Sequence, residues 1–216
     1  MNGDIKQILL EAASLKSQLA ADPAFVEGVV QSCNILADCV VRGGTIYACG
    51  NGGSTCDAMH LVEELVAKYK RERRGIRAQH LMDPSVMTCW GNDHSFEDCY
   101  RRSVEVFCRE NDVLVAISTS GNSSNVLAAV EQAKSQGTKV IGLTGRTGGE
   151  LLQQSDVALV VPSQLTERIQ EAHITIVHIW LELLETRYPE VLKPERTSHQ
   201  SGSSDGIYER PSAVLV

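Results

Sequence analysis

Apolar residues recur at helical spacing between residues 4 and 42: Ile5, Ile8, Leu9, Ala12, Leu15 and Leu19, then Val26, Val29, Val30, Cys33, Leu36 and Val40. Asp22-Pro23 interrupts the run, so the pattern predicts two helices. Gly43-Gly44 stops the second, and the pattern changes to short, nearly continuous apolar runs. These are residues 45–49 (TIYAC), 112–117 (DVLVAI), 139–143 (KVIGL) and 157–161 (VALVV). Such runs, alternating with helices, are the signature of strands buried on both faces of a parallel sheet. The fold class read from this order is α/β, three layers with a central parallel sheet flanked by helices and an N-terminal helical extension. A long closing helix is predicted over 166–186, where Pro189 and Pro194 end the periodicity. Residues 1–192 read as one domain. The Ser-rich, aperiodic segment 193–216 reads as a disordered tail, because it offers too little apolar surface to offset the entropy of ordering it.

Charge and composition narrow the function classes. Across 216 residues, 20 Lys and Arg face 27 Asp and Glu, a net charge of −7. A chain this acidic is a poor sequence-independent binder of nucleic acid or of an anionic membrane, and neither partner is expected. The seven cysteines are odd in number and form no C-x-x-C pair, so they read as small buried hydrophobes in a reducing compartment. No signal-like h-region opens the chain and no segment reaches about 18 uncharged apolar residues. A cytoplasmic location is the expectation. The basic stretch Lys68, Lys70, Arg71, Arg73, Arg74 and Arg77 lacks aromatic interleaving beyond Tyr69. It reads as a solvated helix end or a subunit contact.

Two loops follow strand ends and open helices: Gly50-Asn51-Gly52-Gly53-Ser54 and Ser118-Thr119-Ser120-Gly121-Asn122-Ser123. Outside the carboxyl ends of parallel strands, helix N-termini present unpaired N–H groups and a positive dipole to anions. The second loop adds the hydroxyls of Ser118, Thr119, Ser120 and Ser123. Neither loop has the Walker lysine or G-x-G-x-x-G spacing, so a phosphate monoester is a better candidate than a nucleotide. The competing reading is that Ser and Asn only cap helices. Further along, His60 and Glu64 are spaced i, i+4 and share one helix face. Gln170 and His178, spaced i, i+8, lie roughly 80° apart on the closing helix. Two imidazoles, a carboxylate and an amide oxygen suit either a divalent metal or a division of acid and base roles, and spacing alone does not choose. Trp90-Gly91-Asn92-Asp93 reads as a polar turn able to meet a ligand's hydroxyls. His80, His94, His173 and His199 read as ordinary core or surface residues.

Taken together, CGNGGSTCDAMHLVEEL (49–65), WGND (90–93), ISTSGNSSNV (117–126) and ERIQEAHITIVH (167–178) resemble the sedoheptulose 7-phosphate isomerases of the sugar-isomerase (SIS) domain superfamily. The similarity runs over residues 4–188. The serine loop marks any phosphosugar-binding SIS domain, whereas MH-x-x-E-E with R-I-Q-E-x-H-x-x-x-x-H is much narrower.

The resemblance implies isomerisation of sedoheptulose 7-phosphate to D-glycero-D-manno-heptose 7-phosphate, an early step toward the heptose of lipopolysaccharide. It implies a homotetramer with active sites at subunit interfaces. Asn51, Gly52, Gly53, Glu64, Asn92, Asp93, Ser118, Thr119, Ser120, Ser123 and Gln170 are then the substrate-binding residues. His60, Glu64, Gln170 and His178 match the family's ligands for Zn²⁺, one per subunit, and Glu64 and His178 its catalytic base and acid. Two positions depart from the pattern: Thr55 stands where histidine is common, and Glu167 where aspartate precedes R-I-Q. The other class of function such a fold supports is a non-catalytic SIS regulator that binds a replication-initiator-type protein. Retention of the whole acid, base and metal set favours the enzyme.

Overall fold

The computed structural model describes residues 2–189 and Leu192. Asp22 separates α1 (Asn2–Ala21) from α2 (Pro23–Val41) as the pattern requires. Its carboxylate accepts from the amides of Ala24 and Phe25, and Pro23 opens the helix where a missing N–H costs nothing. With 19 residues and a mean hydropathy of 1.4 over an 18-residue window, α2 is long and apolar enough to cross a membrane by length and composition alone. Here it is a core helix: Val29, Cys33, Leu36, Ala37 and Val40 are buried in the hydrophobic core, while Glu27 and Asp38 face solvent.

The five strands β1 (Ile46–Gly50), β2 (Ala78–His80), β3 (Val113–Ser118), β4 (Lys139–Gly145) and β5 (Val157–Val161) pair in parallel in the order β2-β1-β3-β4-β5. Successive side chains alternate between faces. Ile46, Ala48, Val113, Val115 and Ile117 join one core with α1, α2, α3 (Gly53–Val66) and α8 (Thr166–Arg187). Tyr47, Cys49, Leu114 and Ala116 join a second core with α4 (Pro84–Asp93), α5 (Cys99–Phe107), α6 (Ser124–Ser135) and α7 (Gly149–Gln154). The three-layer α/β reading is correct.

Two local expectations are corrected. β2 was not anticipated, because three residues carry no usable period; its pairing with β1 is a tertiary event. Trp90-Gly91-Asn92-Asp93 is not a turn but the last turn of α4, a helix started by Pro84 and capped by Asp83, whose carboxylate accepts from Ser85 and Val86. The seven cysteines are all free thiols, five buried and two, Cys56 and Cys89, exposed. The expected tail 193–216, and with it His199, lies outside the described residues.

Candidate active site

The strand order reverses between β1 and β3, which run in register from Ile46 opposite Val113 to Gly50 opposite Ile117. Neighbouring strands whose crossovers leave in opposite directions open a crevice at their carboxyl ends. Both glycine- and serine-rich loops emerge there, one from Gly50 and the other from Ser118. They are tied to each other: Asn51 Nδ2 donates to Asn125 Oδ1 at 2.8 Å, and Asn125 Nδ2 returns the bond to Asn51 Oδ1 at 2.9 Å. Asn125 was missed by the sequence reading, although it stands only two positions after Ser123.

In the serine loop Ser120 Oγ accepts from the Asn122 amide at 3.1 Å and Asn122 Oδ1 from the Glu150 amide in the first turn of α7 at 3.0 Å, but Ser123 does not cap. Ser123 occupies the N-cap of α6, yet its side chain makes no capping bond among the described residues. Its hydroxyl lies 2.9 Å from that of Ser118, which in turn lies 3.4 Å from that of Ser120. The hydroxyls therefore gather around one another at a helix N-terminus, an arrangement suited to an anion. Gly121, at φ 69°, turns the chain there, and a Cβ would lie 1.9 Å from the Gly148 carbonyl oxygen.

The first loop reaches across to α8. A Cβ on Gly53 would sit 2.2 Å from Gln170 Nε2, so the glycine admits the amide against the start of α3. Two turns further along α8, His178 meets α3 edge-on: its Nε2 lies 3.1 Å from His60 Nε2, with the ring centroids 5.1 Å apart. Glu64 Oε1 lies 3.7 Å from that same His60 nitrogen. Glu64, His60 and His178 are half-buried and come from one chain. On the same helix Asp57 is buried, and burial pushes its carboxyl up to about 6, with His60 pulling the other way.

Two nitrogens sharing a tetrahedral zinc at ~2.0–2.1 Å stand about 3.3 Å apart, and the 3.1 Å spacing is near that value. The donor set of two imidazoles, a carboxylate and an amide oxygen has the chemistry for zinc. Among the described residues, however, no group of three or more His, Cys, Asp or Glu side chains is placed to hold a metal ion.

Asn92 and Asp93 are exposed at the end of α4; Asn92 Nδ2 donates to Asp93 Oδ1 at 2.8 Å, and neither bonds to the imidazole pair among the described residues. Thr55 Oγ1 donates to the Gly50 carbonyl at 2.6 Å, as does the hydroxyl of Tyr100, so this departure braces the first loop. Glu167 is exposed in the first turn of α8. Elsewhere, His94 stacks on Trp90, and buried His173 donates from Nε2 to the Thr144 carbonyl at 3.1 Å.

The SIS domain family matches residues 12–145. Phosphoheptose isomerase of Escherichia fergusonii is 43% identical over 182 residues, covering 84% of this chain and 95% of that protein. The chain belongs to the phosphoheptose isomerase family. Among solved members, the phosphoheptose isomerase GmhA from Neisseria gonorrhoeae superposes with a TM-score of 0.80 at 36% identity, over 86% of this chain and 98% of that one. The phosphoheptose isomerase from Francisella tularensis gives 0.79 at 33% identity, over 84% and 96%. The crevice at β1 and β3 with the serine loop, and the Glu64–His60–His178 group on α3 and α8, are the two parts of the candidate site.

Proposed function

We propose that this phosphoheptose isomerase converts sedoheptulose 7-phosphate into D-glycero-D-manno-heptose 7-phosphate, with Glu64 as base and His178 as acid. The observation that carries the reading is the placement of the two loops at one crevice, tied by the Asn51–Asn125 pair, with Gln170 set against Gly53 and, two turns further along the same helix, His178 against His60 and Glu64. It links a phosphate anchor to an acid–base pair, as a phosphorylated sugar requires. The serine hydroxyls and the α6 N-terminus hold the phosphate, fixing which carbons reach the far end of the crevice. Moving the carbonyl from C2 to C1 requires a base to take a proton from C1. As the enediol forms, the C2 oxygen gains a proton; as it collapses, the C1 hydroxyl loses one and C2 takes one, completing the aldose. The Glu64 carboxylate performs the carbon transfers. The His178 imidazole, facing it across His60, manages the oxygen protons.

One Zn²⁺ per subunit on His60, Glu64, Gln170 and His178 accords with the donor chemistry; bound there, it would act as a Lewis acid toward the substrate oxygens. A homotetramer accords with the apolar residues that α1, α2 and α8 leave exposed, Ile5, Ile8, Leu9, Leu10, Val26, Val30 and Ile179. A groove of about 460 Å³ between these helices, lined by Leu19, Phe25, Val26, Val30, Ile176 and Ile179 among others, is of the same character. A cytoplasmic location accords with the free thiols. The regulator reading is not favoured, because both proton-transfer groups are present and each lies beside His60.

The test is direct. Purified protein incubated with sedoheptulose 7-phosphate should yield aldoheptose 7-phosphate, followed by NMR. Glu64→Gln should lower turnover by about 10²–10⁴-fold while phosphosugar binding persists. Chelator and added Zn²⁺ form the second arm, read as metal content against rate. Absence of the aldose with and without Zn²⁺ would sink the assignment.

A further inference from the structure

In the basic stretch after α3, Lys68, Lys70, Arg71, Arg74 and Arg77 are exposed as a solvated helix end would be, but Arg73 is not. Arg73 and Glu185 form an ion pair at 2.9 Å in which each side chain is only 3% exposed. Burying two charges is costly unless their remaining donors and acceptors are satisfied. Here they are. Glu185 Oε1 accepts from the Tyr69 amide at 3.1 Å as well as from Arg73 Nε, and Oε2 accepts from the amides of Lys70 and Arg71, both at 3.0 Å. Arg73 Nη1 donates to the carbonyls of Leu65 at 2.9 Å and Arg74 at 3.0 Å, and Nη2 donates to the Glu64 carbonyl at 2.6 Å. Burial alone would raise the Glu185 carboxyl; the amides and the guanidinium reverse that and hold it below the usual range.

Both ends of this network reach the residues that move protons. Glu64 and Leu65 lie in the last turn of α3, where carbonyls lack intrahelical partners and the dipole favours a cation. No glycine follows to close the helix; the Arg73 guanidinium caps it and so fixes the backbone from which the Glu64 carboxylate springs. At the other end, Glu185 lies seven residues beyond His178, nearly the same direction around α8. The loop strapped to Glu185 carries Tyr69, whose ring lies almost parallel to the His178 imidazole, with centroids 5.8 Å apart and planes 18° from parallel.

We propose that Arg73, Glu185 and Tyr69 are positioning residues for the isomerisation: the buried ion pair holds Glu64 through its carbonyl and His178 through the stacked Tyr69 ring. The proposal rests on the acid and base roles assigned above. None of the three is asked to touch substrate. Their effect is on the angle and reach of the two groups that do, where an error near 1 Å costs on the order of a hundredfold.

The experiment measures kcat and KM for sedoheptulose 7-phosphate with the full chain and with Tyr69→Ala, Tyr69→Leu, Tyr69→Phe and Arg73→Lys. Each is assayed well below its own melting midpoint. Tyr69 is only half-buried, so its variants are suited to remaining folded. Tyr69→Ala and Tyr69→Leu should lower kcat about tenfold or more with KM held within about twofold. Tyr69→Phe, which keeps the flat ring, should stay within about twofold of the parent. Leucine restores apolar bulk without a stacking face, so its failure to rescue separates orientation from packing. Arg73→Lys keeps the charge but cannot reach the same set of carbonyls, and should lose kcat similarly. Full kcat in Tyr69→Ala, rescue by leucine, or a loss expressed in KM would overturn the proposal. A parent chain silent toward the heptulose phosphate would instead remove the functional assignment, and this proposal with it.

Discussion

Gly53→Ala should leave the fold as stable or slightly more stable while damaging catalysis. The new methyl would stand 2.2 Å from Gln170 Nε2, 2.8 Å from its Cδ and 2.9 Å from its Oε1. Ordinary contact begins near 3.4 Å, so the amide must retreat by about 3.4 − 2.2 = 1.2 Å. That movement is cheap for the fold, because the obstructed atoms are the end of a flexible side chain. The alanine also gains helix propensity at the start of α3, worth up to about 1 kcal/mol. The site fares differently. Gln170 shares α8 with His178 and belongs to the proposed substrate and zinc set, so a displacement near 1 Å is expected to lower kcat/KM roughly a hundredfold. Thermal unfolding and steady-state isomerisation on the same preparation read the two effects. A variant with parental kcat/KM would show that the Gly53–Gln170 contact has no part in catalysis. One that lost activity only in proportion to lost stability would refute the reasoning equally.

Ser118→Ala removes a hydroxyl that faces both Ser120 and Ser123; losing one charge-assisted bond of about 1.5–3 kcal/mol should raise KM roughly ten- to a hundredfold with kcat little changed, as initial rates will show. The acid side of stability contains two opposed terms. Burial, against a bond to the Thr144 carbonyl, pushes His173 down from 6.5 to about 4, so between those values the unfolded chain takes up the proton and stability falls as pH falls, by at most about 3 kcal/mol. Asp57, raised from 3.8 to about 6, is protonated first in the folded chain and gains stability over much the same interval. His173→Gln, which retains a donor for Thr144, should therefore become progressively more stable relative to the parent as pH drops from 6.5 toward 4. Parallel denaturant-melting curves across that range would contradict this assignment.

The one-dimensional signals in this chain were strong where local physics is strong. Helical period, the Asp22-Pro23 break, glycine-rich strand ends and nearly continuous apolar runs are short-range patterns, and they carried the α/β class and the element order outside the stretch that holds β2, α4 and α5. The chemistry-bearing residues were legible as types: hydroxyls without cations for a phosphate, and His60, Glu64, Gln170 and His178 as a candidate acid–base or metal set. Their convergence was not. Whether His60 and His178 meet depends on how α3 and α8 cross over the sheet, separated by more than a hundred residues of intervening chain. Likewise, the crevice exists because the strand order turns back between β1 and β3, an outcome of long-range pairing that includes the unheralded β2. Arg73 illustrates the limit most clearly: in the sequence it is one cation in a basic stretch, indistinguishable from a solvated surface residue. Only the folded chain brings the Glu185 carboxylate and the carbonyls of Glu64 and Leu65 to it, making burial of that charge tolerable. Sequence determined which groups were present and on which elements. Tertiary packing decided which of them share a space, because burial and proximity are properties of contacts between distant segments rather than of any segment's own pattern.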